Sequence, residues 1–140
     1  MRVKSLALGF LALLALSIPR GANAETAKEQ AIKAGATQLK AEEIAELLVG
    51  KTVTARAGAK MFLFHYGKDN VLSGKLIGGN WSDTGFYGIT DEDRVCLSIT
   101  KDKGRMRCVT LLKLDGAVNK YNARGDLSFE LLKFEEGNRL

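Results

Sequence analysis

Cys96 and Cys108 are the only cysteines in this 140-residue chain. They flank Lys101-Asp102-Lys103-Gly104, the only turn-like segment between two apolar runs in the stretch 95–112. Gly104 supplies the positive φ that a short hairpin loop needs. A hairpin centred on Asp102 sets Cys96 against Cys108, Ser98 against Met106 and Leu97 against Arg107. Directly opposed residues have Cα atoms roughly 4.5–5.5 Å apart, within reach of a disulfide. Such a bond closes a loop of about 13 residues and contributes about 3 kcal/mol in the chain-entropy picture. The alternative is a pair of buried free thiols acting as small apolar side chains. The register also places Arg105 and Arg107 on the face of Val95, Leu97 and Ile99. Their stems then cover apolar surface while their heads stay wet, unless a bulge resets the second strand.

Other residues have types that bear on chemistry. Asp83-Thr84-Gly85 is the triplet of aspartic proteases, where two carboxylates share one proton across a dimer. Trp81 and Ser82 precede it in place of the apolar residues that those enzymes carry, and a turn explains the triplet as well. His65 is the only histidine, so it can belong to no histidine-rich metal site. Beside Tyr66 it suggests a haem-ligand pair, but adjacent strand residues point to opposite faces. Asp91, Glu92 and Asp93 lack the spacing of a calcium loop. Gly50-Lys51-Thr52 lacks the upstream glycine of a phosphate loop, and it follows its helix where a phosphate loop precedes one. No metal site and no cofactor is expected. Trp81, Phe86, Tyr87, Phe62, Phe64 and Tyr66 are aromatics able to line a ligand cavity, and Trp81, Phe86, Tyr87 and His65 are the candidate ligand-binding residues. The competing reading makes them plain core.

Residues 39–49, L-K-A-E-E-I-A-E-L-L-V, set Leu39, Ile44, Leu47 and Leu48 in a helical stripe, with early acids and Gly50 as the stop. Residues 25–38 are rich in Ala, Lys, Glu and Gln and read as a flexible or frayed helical leader contributing little core. From Thr52 onward, about eight short strands recur, separated by polar and glycine turns: 52–54, 61–66, 71–77, 86–89, the two arms of the cysteine hairpin, 118–122 and 127–134. Residues 81–85 read as a turn. This spacing predicts a mainly β (α+β) fold, an antiparallel meander closing into a small calycin-like barrel or sandwich, with one N-terminal helix packed on it.

The chain opens with Arg2 and Lys4, an apolar run over 6–18, Pro19 and an Ala22-Asn23-Ala24 site. That is the pattern of a secretory signal peptide, 1–24, cleaved after Ala24. It takes three of the 21 basic residues and none of the 16 acids, which leaves 18 against 16 and lowers the net charge from +5 to +2. A nucleic-acid partner loses its support accordingly. No second long apolar run exists, so no membrane span is expected in the mature chain. Residues 39–140 form one domain. An even cysteine count in an exported chain predicts a periplasmic or secreted location.

Taken as one string, the helix, V-G-K-T-V, the Gly-Lys-Asp-Asn turn, Ser-Asp-Thr-Gly-Phe and the two cysteines resemble a group of small exported proteobacterial domains of uncharacterised function. The resemblance spans residues 39–118. It departs at Lys40, where that group has Thr or Ser, and at Tyr87, near which it has tryptophan. It implies a periplasmic location and a single β-rich domain, and it assigns no site. The expected function is a non-catalytic binding module for a small apolar ligand or a protein partner. The alternatives are a protein inhibitor or envelope-stress factor acting through surface loops, and an aspartyl hydrolase using Asp83.

Overall fold

The computed structural model describes residues 24–140. The signal-peptide reading of residues 1–24 therefore lies outside the described residues, Ala24 apart. After Thr26, helix α1 covers Ala27–Lys33 and strand β1 covers Thr37–Gln38. Helix α2 is Ala41–Leu48. Eight strands follow: β2 Lys51–Ala57, β3 Lys60–Tyr66, β4 Val71–Leu76, β5 Ser82–Ile89, β6 Val95–Ile99, β7 Arg107–Leu114, β8 Ala117–Tyr121 and β9 Leu127–Glu136. Each of β3 to β8 pairs antiparallel with its sequence neighbours, β2 pairs with β9, and β8 pairs with both β7 and β9. The sheet is thus a closed antiparallel barrel with no free edge around its girth.

The cysteine hairpin has the register that a turn centred on Asp102 demands. Val95 opposes Val109, Cys96 opposes Cys108 and Leu97 opposes Arg107. Cys96 and Cys108 are disulfide-bonded. The turn is a 3₁₀ segment, Thr100–Asp102, with Lys103 at φ 56° and Gly104 at φ 68°. Arg107 keeps an exposed head paired with Asp102, so its place among apolar neighbours is tolerated at the hairpin tip.

Alternation decides what fills the barrel. Val53 and Ala55 of β2, Tyr66 of β3, Tyr87 of β5, Val95 of β6, Leu111 of β7 and Val118 of β8 point inward into one core. Helix α2 adds Ile44 and Leu48, both fully buried, and so plugs one end of the barrel. Its first turn is capped from outside the helix by Asp93, whose Oδ1 accepts from the Ala41 N–H at 2.7 Å, and from within by Glu43, whose Oε1 accepts from the Lys40 N–H at 3.2 Å.

Two local expectations change. Ser82 to Gly85 extend β5 rather than forming a turn, with Thr84 opposite Ser73 and Asp83 opposite Gly74. Asp and Gly carry little strand propensity, and here pairing with β4, together with the bonds from Thr100 and Lys101 to Thr84 and Asp83, outweighs it. Residues 25–38 are organised against the barrel. Thr26 caps α1, β1 pairs with β7 at Lys113 and Leu112, and Ala36 is buried with Leu112 and Tyr121. The β6 ladder ends at Val109. Beyond it β7 has backbone groups to spare on that side, and β1 takes them.

Candidate functional site

The end of the barrel opposite α2 is hollow. A cavity of about 830 Å³ runs into it. Its walls are aromatic and aliphatic, chiefly Phe62, Phe64, Leu97, Phe129 and Trp81. Its rim carries Lys60, Lys101, Arg107 and Arg124, all exposed, and one acid, Asp102.

The wall follows from strand parity and one missing side chain. Phe62, Phe64 and Tyr66 alternate inward along β3. Phe62 meets Trp81 and Phe129 edge-on at 5.6 and 5.5 Å between centroids, and Phe64 meets Phe129 edge-on at 5.3 Å. Gly74 lies directly across from Phe64. A Cβ there would stand 2.6 Å from the Phe64 ring, so only glycine leaves this ring its place.

Lys120 is the unusual member. It faces inward from β8, two residues after the core residue Val118, and is 3 % exposed. Its Nζ donates to the Tyr66 hydroxyl at 2.9 Å. It also lies 5.4–5.6 Å from the ring centroids of Phe129, Phe64 and Tyr66. None of the ion pairs among the described residues includes it. Burying an ammonium costs several kcal/mol, and a cation–π contact returns only roughly 0.5–2 kcal/mol. The Nζ keeps two further N–H donors. The Tyr66 O–H has no acceptor among the described residues, since the hydroxyl's one hydrogen bond is the one it receives from Lys120.

The four residues proposed from sequence do not converge. Trp81 stands in the cavity wall near its rim. Tyr87 lies in the core, edge-on to Tyr66 at 5.1 Å, with its hydroxyl donating to the Gly67 carbonyl at 2.7 Å. Burial, then the neighbouring Tyr66 and Asp69, hold its phenol above the usual tyrosine range. Phe86 points outward and is 67 % exposed. His65 sits half-buried on the outer face of β3, opposite in direction to Phe64 and Tyr66. Strand parity alone separates these pairs, because residues 86 and 87, like 65 and 66, must face opposite ways.

Asp83 is occupied by the backbone. Its Oδ1 accepts from the Thr84 N–H and its Oδ2 from the Lys101 N–H, both at 2.8 Å, which ties β5 to the hairpin tip. Among the described residues no cluster of three or more His, Cys, Asp or Glu side chains is placed to hold a metal ion. Lys120 and Phe129 are among the cavity residues that sequence reasoning passed over, as was Gly74 behind Phe64. The available signal was Val118-x-Lys120, a lysine two positions beyond an apolar residue on a strand, where period two requires another inward side chain.

No family model, curated protein or solved structure matches the chain.

Proposed function

We propose that this protein is a non-catalytic binding module that takes a small apolar ligand into its barrel, and that it works in the periplasm or another oxidising space outside the cytoplasm. The cavity carries the first half of this reading. It is 830 Å³ in volume, within the range of about 300–1,000 Å³ typical of ligand sites, and its walls are aromatic with few polar groups. Supporting the second half are the Cys96–Cys108 bond and the signal-like residues 1–24. Among the described residues no helix is long and apolar enough to cross a membrane.

A neutral arylamine dye, N-phenylnaphthylamine, tests the cavity. It is expected to brighten on binding, to accept energy from Trp81, the only tryptophan, and to be displaced by a long-chain alcohol. Leu97→Phe, which narrows the cavity, is expected to weaken it. A folded, oxidised protein that leaves the dye dark sinks the reading. For location, the exported protein should begin at Glu25; recovery of Met1 on it would remove that half.

One observation favours a protein partner as the second reading. Phe86 and Met106, 67 % and 66 % exposed, line a shallow outer depression beside Cys96. Native mass spectrometry of protein drawn from its own compartment separates the two. A retained small molecule supports the barrel reading. A stoichiometric protein lost on Phe86→Ser supports the other.

A further inference from the structure

We infer that the cavity selects an apolar ligand bearing a carboxylate, and that the acid enters first and docks between Lys120 Nζ and Tyr66 Oη. The inference rests on the binding reading above and adds the chemical class of the ligand to it.

Three observations meet here. A cation is buried at the inner part of an apolar cavity, and no carboxylate among the described residues pairs with it. Such a charge is normally matched by a counter-charge or relieved by solvent, and aromatic rings on three sides limit the room for solvent. Second, the local hydrogen-bond inventory is all donors. After Lys120 donates to Tyr66, two ammonium N–H groups and the phenol O–H remain, and an ionised carboxylate is an acceptor-only group with about four lone-pair sites. A neutral ligand such as an alkane leaves all three donors unused. Third, the way in is positive. Lys60, Lys101, Arg107 and Arg124 stand at the rim against one acid, Asp102, and that acid is already bonded to Arg105 and Arg107. Anions are drawn to such a mouth.

The rim cations alone would suit an acid bound head-outward. Head-inward docking is preferred because the rim side chains are exposed, whereas Lys120 is 3 % exposed and belongs to no ion pair among the described residues, so a carboxylate gains most there. The apolar chain then lies along Phe62, Leu97 and Trp81 toward the opening.

A matched pair of competitors, dodecanoate and dodecanol, provides the test. Each displaces N-phenylnaphthylamine from the wild type, Lys120→Met, Tyr66→Phe and the rim variant Lys101→Gln/Arg124→Gln. In the wild type, dodecanoate is expected to bind about ten- to a hundredfold more tightly than dodecanol, as expected for one charge-assisted hydrogen-bonded pair. Lys120→Met should abolish that preference, and its circular dichroism and denaturant midpoint show separately that the variant is folded. Tyr66→Phe should reduce the preference with Lys120 intact, and it serves as the critical variant if Lys120→Met does not fold. The rim variant should mainly slow association and flatten its salt dependence. Equal binding of acid and alcohol overturns the inference and leaves the cavity reading standing. So does a preference that survives Lys120→Met and disappears in the rim variant, because the head then lies outside. A wild type that binds neither dye nor competitor overturns both.

Discussion

Asp93 caps helix α2 from a distance of 52 positions: its Oδ1 accepts from the backbone N–H of Ala41 at 2.7 Å. The N-cap position itself holds Lys40, whose side chain has no acceptor atom. The β5–β6 turn thus performs the task that Ser or Thr usually performs at the cap. It also fastens the plug to the barrel wall, because α2 carries Ile44 and Leu48 into the core.

Removing that carboxylate should therefore loosen the plugged end. Asp93→Ala loses the cap and also forces alanine into φ 61°. Asp93→Gly loses the cap while keeping the backbone at ease. Denaturant melts are expected to show losses of roughly 0.5–2 kcal/mol for the glycine variant and a larger loss for alanine. A glycine variant as stable as the wild type would mean that the bond contributes nothing.

The Cys96–Cys108 bond should matter most to the unfolded chain. Both residues sit opposite each other on one hairpin, and the short loop they close limits the stabilisation to roughly 2–4 kcal/mol. Cys96→Ala/Cys108→Ala is expected to keep the barrel's circular dichroism and to melt at lower denaturant. An unchanged midpoint on reduction of the wild type would contradict this.

Gly85, the last residue of the Asp-Thr-Gly triplet, marks a close approach of two strands. A Cβ there would lie 2.0 Å from the Ser98 carbonyl oxygen and 2.7 Å from the Ile99 Cα. Backbone atoms cannot swing aside, so Gly85→Ala must separate β5 from β6. A destabilisation of about 1–3 kcal/mol is expected, in the range of overpacked sites. By contrast, Gly78→Ala meets no atom within 4 Å and is strained only through its φ of 76°. Ranking the two by thermal melting checks the argument, and equal losses would defeat it.

Stability should fall at both ends of the pH scale, for different residues. Hydrogen bonds from Arg105, then its charge and that of Arg107, hold Asp102 below the usual carboxylate range, and the Arg56 bond does the same for Glu130. A depressed folded pKa gives stability that is present above the unfolded value and lost as pH falls through the folded one. Both pairs are exposed, so the acid limb is shallow and weakens with salt. Tyr87 runs the other way. Its raised pKa gives stability present below the ordinary tyrosine value and lost as pH rises through the folded one. Melting temperatures across pH should show the acid limb flattened in Asp102→Asn/Glu130→Gln and the alkaline limb flattened in Tyr87→Phe. An alkaline limb unaffected by Tyr87→Phe would refute the assignment.

By itself the sequence determined the secondary-structure class, the hairpin and the covalent bond across it. These depend on local spacing: strands separated by glycine and polar turns, and two cysteines equidistant from Asp102. The α2 stripe was legible for the same reason, as helical periodicity survives in any context that buries one face. What lies inside the barrel was decided by tertiary structure. Parity divides Phe86 from Tyr87 and His65 from Tyr66, but which parity faces inward depends on how the sheet closes. On β9, Leu131 and Phe134 both pack against the core because a bulge opposite Thr54/Ala55 resets the alternation, and Leu132 is left 46 % exposed. Lys120 makes the point most sharply. By composition it is one more surface lysine. Only the meeting of the β8–β9 hairpin, where Lys120 opposes Phe129, with Tyr66 and Phe64 of the distant β3 removes it from water, because burial is a property of the closed barrel and not of any one strand.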